Sequence, residues 1–331
     1  MCIRIGVLSP SNIAFRRFLP ALKKSAGLEY VGVAYAAREE WFGGDVPSSE
    51  REKAEEFAKN FGGEVVEGYR RMIARSDVDA VYVPLPPALH YTWGKEVLSA
   101  GKHLFMEKPF TTKLEDTEEL LSFAKGKGLA VHENYMFVYH SQIARIKEMI
   151  ASGEAGEIRL YRMAFGFPKR PGNDFRYIKS LGGGALLDCG GYPVRLAQEL
   201  LGNSVHLVQA RLSQPTGYEV DLYGSAVLEN DEGVCAQIAF GMDNAYQCQL
   251  EVWGSKETII APRVFTAGAD VTPSLTIRTS SDESTVQLEA DDQFLHSIDA
   301  FAASCAGVPT VEKIRRQGEL IQEIRKMGES K

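Results

Sequence analysis

The sequence predicts a two-part α/β protein. An N-terminal doubly wound parallel sheet is followed by an α+β domain with a large, mainly antiparallel open sheet. Three observations carry this expectation. Up to His132, short and nearly continuous apolar runs alternate with stretches of helical spacing, as expected for parallel strands buried on both faces. From His206 onward, strand-like runs follow one another across short turns. The length of 331 residues exceeds a typical single domain and suits two. We place the expected boundary between a dinucleotide-type domain, residues 1–122, and a substrate and oligomerisation domain, residues 123–331.

The elements follow in order. Ile3–Leu8 is a strand rich in β-branched residues, and Ser9-Pro10-Ser11-Asn12 is a turn. Ile13, Phe18, Leu19 and Leu22 then give helical spacing from Ile13 to Lys24. Leu28–Tyr35 reads as a strand, and Ser49–Asn60 as a charged helix. The loop between them, Trp41–Ser49 with Gly43-Gly44, is longer than usual for such a connection. Val65-Val66 is a short strand, Tyr69–Arg75 a helix, Ala80–Val83 a strand and Ala88–Ala100 a helix stopped by Gly101. His103–Met106, the helix Leu114–Lys127 and a strand near Leu129–His132 complete the first part. Ser141–Ser152 is a helix and Ile158–Phe167 a strand. The strands expected after His206 are Leu207–Leu212, Gly224–Leu228, Val234–Ala239, Tyr246–Val252, Thr258–Ile260, Leu275–Thr279 and Thr285–Leu288. One face of that sheet would pack on helices and the other would remain apolar, a candidate oligomer interface. Asp292–Cys305 and Val311–Met327 close the chain as helices.

Bulk properties narrow the function classes. At 44% hydrophobic and 24% charged, the chain has the composition of an ordinary soluble globular protein with a sizeable core. Its 37 basic and 44 acidic residues give a net charge of −7, which argues against nucleic acid or an anionic membrane as the main partner. The five cysteines, Cys2, Cys189, Cys235, Cys248 and Cys305, are odd in number, scattered and without a C-x-x-C pair, so reduced thiols in the cytoplasm are expected. No apolar run approaches the ~20 residues of a membrane span. The N-terminus enters a strand without a signal-peptide pattern. His and Cys are too dispersed for a zinc site, and no metal is expected.

Ligands of open α/β sheets bind outside the carboxyl ends of the strands. Four such ends stand out. After the first strand, Ser9-Pro10-Ser11-Asn12-Ile13-Ala14 occupies the place of a G-x-G-x-x-A turn, where a pyrophosphate would rest on a helix N-terminus. Only Ala14 matches; Ser9 and Ser11 offer hydroxyls instead, and a plain helix cap at Ser11 or Asn12 is an equal reading. After the second strand, Arg38 precedes any carboxylate, which favours NADP over NAD. The alternative is a solvated Arg38 paired with Glu39 or Glu40. After the fourth, Pro84-Leu85-Pro86 forces an extended path, and His90 either contacts a cofactor or caps the following helix. After the fifth, Met106 gives way to Glu107-Lys108-Pro109, which alone is as well read as a solvated charge pair at a turn. In the second part, three consecutive glycines, Gly182 to Gly184, precede a helix-like stretch. There Asp188 and Tyr192 lie four apart, a spacing that also fits a local hydrogen-bonding pair.

Together these pieces resemble the Gfo/Idh/MocA family of nicotinamide-dependent oxidoreductases over nearly the whole chain. The most specific are Glu107-Lys108-Pro109 and Gly182-Gly183-Gly184-Ala185-Leu186-Leu187-Asp188-x-Gly190-x-Tyr192. Pro84-Leu85-Pro86 with His90, Gly101-Lys102-His103 and Trp253-Gly254-Ser255-Lys256 support them. The resemblance implies a Rossmann domain, an α/β domain with a broad open sheet, and an active site between the two. Tyr192 stands where many members carry histidine. That form resembles the branch of glucose–fructose oxidoreductase, dihydrodiol dehydrogenases and the 3-ketoreductases of nucleotide-linked deoxysugars, which generally use NADP. Ser9 and Ser11 depart from the family's glycines.

The resemblance implies cofactor contacts from Ser9, Ser11, Asn12, Ile13, Arg38, Pro84, Leu85, His90, Glu107 and Lys108. NADP is the expected cofactor, with NAD as the alternative. A phenol titrates near about 10, and a neighbouring ammonium favours its ionised form. Tyr192 is therefore the candidate proton donor or acceptor and Lys108 its electrostatic partner, with exchange of the two roles left open. Asp188 would orient Lys108 or a sugar hydroxyl, and Arg176 and Tyr177 would contact substrate. The expected substrate is carbohydrate-like, and a homodimer or homotetramer would form through the C-terminal sheet. The competing functions are oxidation of a cyclic polyol or trans-dihydrodiol, and a cofactor-sensing regulator without catalysis.

Overall fold

The computed structural model describes residues 2–41, 45–307 and 311–329, so Gly43-Gly44 of the loop singled out above lies outside the described residues. The chain forms two compact units, Met1–Asn134 with Phe294–Arg315, and Tyr135–Gln293 with Arg316–Lys331.

In the first unit, β1 (Ile3–Leu8), β2 (Leu28–Tyr35), β3 (Glu64–Glu67), β4 (Ala80–Val83), β5 (His103–Met106) and β6 (Val131–Glu133) form a parallel sheet in the order β3-β2-β1-β4-β5-β6. The helices are α1 (Leu19–Leu22), α2 (Ser48–Phe61), α3 (Tyr69–Ile73), α4 (His90–Ser99) and α5 (Leu114–Lys127). Neighbouring side chains on a strand point to opposite faces, and here both faces are apolar. Val81, Val83, Leu104 and Met106 pack with Trp93, Val97 and Leu120. On the other face, Tyr82 and Phe105 meet Phe18 at centroid distances of 3.8 and 5.1 Å, and Phe301 lies 5.1 Å from Phe105.

The helix expected over Ile13–Lys24 is instead a π-helical turn, Ala14–Phe18, leading into the short α1. Pro20 explains part of this change, because it has no N–H to continue an α-helical ladder from the preceding turn. The boundary expected at residue 122 would cut α5. The units divide after Asn134 because β6 completes the parallel sheet on β5.

The second unit contains α6 (Ser141–Ala151), β7 (Ile158–Gly166) and α7 (Gly191–Leu201), then seven strands in succession. These are β8 (His206–Ser213), β9 (Tyr223–Glu229), β10 (Cys235–Gly241), β11 (Gln247–Gly254), β12 (Thr258–Ala261), β13 (Ser274–Arg278) and β14 (Glu283–Gln287). They join β7 in an eight-stranded sheet ordered β14-β13-β12-β11-β7-β10-β9-β8, in which β7 and β10 pair in parallel and the other pairs are antiparallel. Two helices close the chain, α8 (Gln293–Ala306), which lies almost wholly in the first unit, and α9 (Glu312–Glu329), which begins there and ends in the second.

Alternation holds along the central strands: Tyr161, Met163 and Phe165 of β7 and Ala236, Ile238 and Phe240 of β10 are buried. The opposite face differs from the apolar surface expected. It carries Gln209, Arg211, Gln237 and Gln249 beside Ala164, Ala239 and Val227, lining a shallow cavity of about 470 Å³. Arg162 there pairs with Glu251 at 2.9 Å and lies over the Trp253 ring at 5.0 Å.

The aromatic layer beneath β4 and β5 predicts its own sensitivity. Phe105→Ala removes a fully buried ring touching Phe18, Tyr82, His132 and Phe301. The expected loss is about 3–5 kcal/mol, read as a lower urea midpoint. Val286→Thr on the exposed β14 should change stability by less than about 0.5 kcal/mol.

Candidate active site

The first unit collects one set of expected residues at the carboxyl ends of its strands. The strand order reverses between β1 and β4, the switch point at which such sheets bind nucleotides. Ser9 follows β1 with φ 82°, a backbone conformation that glycine adopts more easily. Its side chain stands close to the Tyr69 hydroxyl. Ser11 Oγ accepts from the Ala14 N–H at 3.3 Å. Helical backbone begins at Asn12, and the first N–H groups of a helix have no partner within it. Those of Asn12 and Ile13 therefore suit an anion, and the turn fits a pyrophosphate.

At the end of β2, Arg38 is exposed and pairs with Asp45 at 3.2 Å, rather than with Glu39 or Glu40. Glu40 is committed elsewhere. Its carboxylate accepts from the backbone N–H groups of Ala37, Tyr69 and Arg70 at 3.0, 2.6 and 3.0 Å, tying the end of β2 to the start of α3. A carboxylate spent on three amides is poorly placed to bind a ribose hydroxyl, whereas Arg38 presents its guanidinium to solvent. The site suits a ribose 2′-phosphate.

The turn after β5 is held on both sides of Lys108. Before it, Glu107 Oε1 accepts from the Tyr82 hydroxyl and from Asn134 Nδ2, each at 2.6 Å. Burial raises the Glu107 pKa, and these two hydrogen bonds work against the rise. After it, the Pro109 carbonyl lies 2.7 Å from His90 Nδ1, and the Phe110 N–H donates to Glu133 Oε1 at 2.8 Å. The Lys108–Pro109 peptide bond is cis.

His90 is fully buried, and its Nε2 lies 2.8 Å from the Leu85 carbonyl. The structure therefore corrects its expected role as a cofactor contact or helix cap. Both ring nitrogens lie against backbone carbonyl oxygens, and the neutral ring donates to one of the two, which packs the Pro84-Leu85-Pro86 path against the turn that carries Lys108.

The second unit holds Arg176, Tyr177, Asp188 and Tyr192. Arg176 lies in a helical turn, Phe175–Tyr177; its Nε donates to Asp188 Oδ2 at 2.8 Å and its Nη1 to Asp174 Oδ1 at 3.1 Å. Burial acts to lower the Arg176 pKa, but the two carboxylates overcome it and the net shift is upward. Asp188 thus has an arginine partner that the sequence reading did not give it. The Tyr177 hydroxyl accepts from the Arg170 N–H at 2.9 Å and donates to the Met242 carbonyl at 3.3 Å, so it holds backbone on both sides.

Two glycines make this packing possible. A Cβ on Gly183 would fall 2.3 Å from the Arg176 carbonyl oxygen, and Gly184 has φ 122° with Asp221 against it. Asp221, absent from the sequence reading, accepts from the Leu186 N–H at 2.7 Å. That bond caps a π-helical turn, Leu186–Gly190, which carries Asp188 into α7. Burial raises the Asp221 pKa. The Tyr192 ring sits among Tyr135, Phe137, Phe165 and Phe265, with centroids 5.4, 5.8, 4.9 and 6.0 Å away. An aromatic cluster of this kind fixes the plane of the ring. Glu133, Asn134 and Asp221 are the supporting residues the sequence reading missed, and none lies in a motif that would have signalled it.

Two predictions follow from the packing around these groups. Burial lowers the His90 pKa to about 4, against the two carbonyl contacts that favour the proton. The folded ring stays neutral while the unfolded ring, near about 6.5, takes up a proton. The contribution to stability is thus present above about 6.5 and lost as the pH falls through about 4, up to about 3 kcal/mol. His90→Gln should flatten that part of a stability–pH curve relative to the unsubstituted protein. Gly183→Ala should displace Arg176 and destabilise the second unit by about 1–3 kcal/mol, seen by thermal denaturation.

Comparison with known proteins identifies the family. Residues 20–135 match an oxidoreductase family with an NAD-binding Rossmann fold, and residues 143–260 match the GFO/IDH/MocA C-terminal domain. The chain is 41% identical over 300 residues to a dTDP-3,4-didehydro-2,6-dideoxy-alpha-D-glucose 3-reductase of Actinomadura kijaniata, covering 91% of this chain and 86% of that one. It is 39% identical to an enzyme of the same description from Streptomyces violaceoruber, covering 96% and 86%. A crystal structure of a 3-ketoreductase from Actinomadura kijaniata, in complex with NADP and TDP-benzene, superposes with a TM-score of 0.91 at 39% identity, over 99% of this chain and 98% of the other.

Proposed function

Because the chain belongs to the GFO/IDH/MocA oxidoreductase family, we propose that it is an NADP-dependent reductase of a nucleotide-linked keto-sugar, acting on a dTDP-linked 3-keto deoxysugar. The observation that carries the reading is the Glu107-Lys108-Pro109 turn at the carboxyl end of β5, anchored by side chains on both flanks of the lysine. Ser9 to Ile13, Pro84 and Leu85 are assigned to the cofactor, with Arg38 on its 2′-phosphate. The committed Glu40 supports that preference.

When bound, NADPH supplies the hydride that the carbonyl carbon accepts. The chain's own groups handle the oxygen. Tyr192 gives its phenolic proton to the developing alkoxide, and the Lys108 ammonium stabilises the negative charge there and on the phenolate that follows. The Arg176–Asp188 pair fixes the turn that leads into the Tyr192 helix and presents donors to sugar hydroxyls. The first unit is assigned the cofactor and the second the sugar nucleotide. The mixed open face of the eight-stranded sheet is assigned to a second copy of the chain, giving a homodimer or homotetramer. The five free thiols agree with a cytoplasmic setting. Among the described residues no helix is long and apolar enough to cross a membrane.

Consumption of NADPH with a dTDP-linked 3-keto deoxysugar tests the reading directly, and turnover of cyclic polyols or dihydrodiols instead would redirect it. Lys108→Ala and Tyr192→Phe should each lower kcat by about 100-fold or more with the fold retained; near-wild-type turnover in either would remove that residue from the chemistry. Arg38→Ala should weaken NADPH binding about 10-fold and leave NADH unchanged, a loss of about 1.4 kcal/mol. Titration of both cofactors would measure it. Mass measurement in solution decides the oligomer.

A further inference from the structure

A chain of buried polar groups runs away from the Lys108 turn into the first unit. Asn134, completely buried, donates from Nδ2 to Glu107 and accepts at Oδ1 from the Ser297 hydroxyl at 2.9 Å. Ser297, also completely buried, lies in α8 and meets His132 Nε2 of β6 at 2.8 Å. The direction of each bond follows from the donors present. The carboxylate only accepts, so Asn134 must turn its amide nitrogen to Glu107 and its oxygen to Ser297. Ser297 has one proton and gives it to Asn134, so His132 must donate to Ser297. The imidazole therefore carries a proton on Nε2. Four residues from three separate stretches of chain are locked into one orientation, ending one residue before Lys108.

A fully satisfied polar network in a core specifies a unique arrangement, whereas an apolar substitute would pack as well without that specificity. The layer beside the network is aromatic: His132 itself lies against Phe105 at 4.5 Å, and Phe301 lies 5.1 Å from Phe105. The polar chain ends at Glu107, where the lysine leaves the sheet after β5. We propose that Glu107, Asn134, Ser297 and His132 form a positioning relay for Lys108, by which α8 and β6 set where the ammonium stands. The proposal rests on the reading of Lys108 as a group of the reaction. The four act through the lysine and touch no reacting atom.

The test compares Ser297→Ala, Ser297→Cys and Lys108→Ala in the full-length protein with NADPH and the keto-sugar. Ser297→Ala should lower kcat by about 10- to 100-fold, with both KM values within about threefold and melting temperature uncorrelated with the loss. Ser297→Cys, a weak donor of similar size, should recover part of kcat. Wild-type kcat in folded Ser297→Ala beside an inactive Lys108→Ala overturns the relay and leaves the lysine reading intact. Full activity of Lys108→Ala overturns both. Nitrogen-15 spectra of the unsubstituted protein provide a measurement that needs no variant. They should show His132 carrying a proton on Nε2, and a proton on Nδ1 alone would overturn the relay.

Discussion

The structure depends on how a parallel sheet, apolar on both faces, ends at β5. Inside the sheet, backbone groups satisfy one another, and side chains such as Val81, Val83, Leu104 and Met106 meet hydrocarbon. Where β5 stops, the chain must present a cation while its neighbouring carbonyl, amide and carboxyl groups leave the ladder. Buried polar groups without partners are costly. Here they are met by side chains from other elements: Tyr82 from β4, His90 from α4, Glu133 from β6 and Asn134 just beyond it. Lys108 is consequently set in a turn whose flanks have little freedom to move.

The second unit solves a similar problem with different parts. Tyr192 stands at the start of a helix, and the preceding turn is widened into a π-helical segment. Such segments are uncommon and concentrate at functional positions. Asp221 supplies the cap, Arg176 neutralises Asp188, and consecutive glycines let the backbones approach. The aromatic ring of Tyr192 is gripped by other rings, so its orientation comes from packing.

Cofactor preference shows how a residue can act by being occupied. Glu40 is an acid close to the end of β2 and could be mistaken for a ribose ligand. Its three backbone partners instead build the corner between β2 and α3, leaving Arg38 as the exposed charge there. The open sheet face illustrates the converse. Its alternation is regular, yet the outward positions carry arginine and glutamine among small residues, so it is mixed where an apolar face was expected.

The sequence by itself determined the strand–helix alternation, the long second sheet, and the motifs carrying Lys108, Asp188 and Tyr192. Those signals are local: periodicity, turn residues and short spacings are set by neighbours along the chain. Only the tertiary structure decided that His90 lies buried between two carbonyls, that Tyr177 holds backbone, that Arg176 belongs to Asp188, and that the first unit closes after β6 and takes back α8. It alone joined Ser297 to Asn134 across 163 positions. A hydrogen bond over that separation leaves no periodic trace, because it constrains one donor and one acceptor and nothing between them.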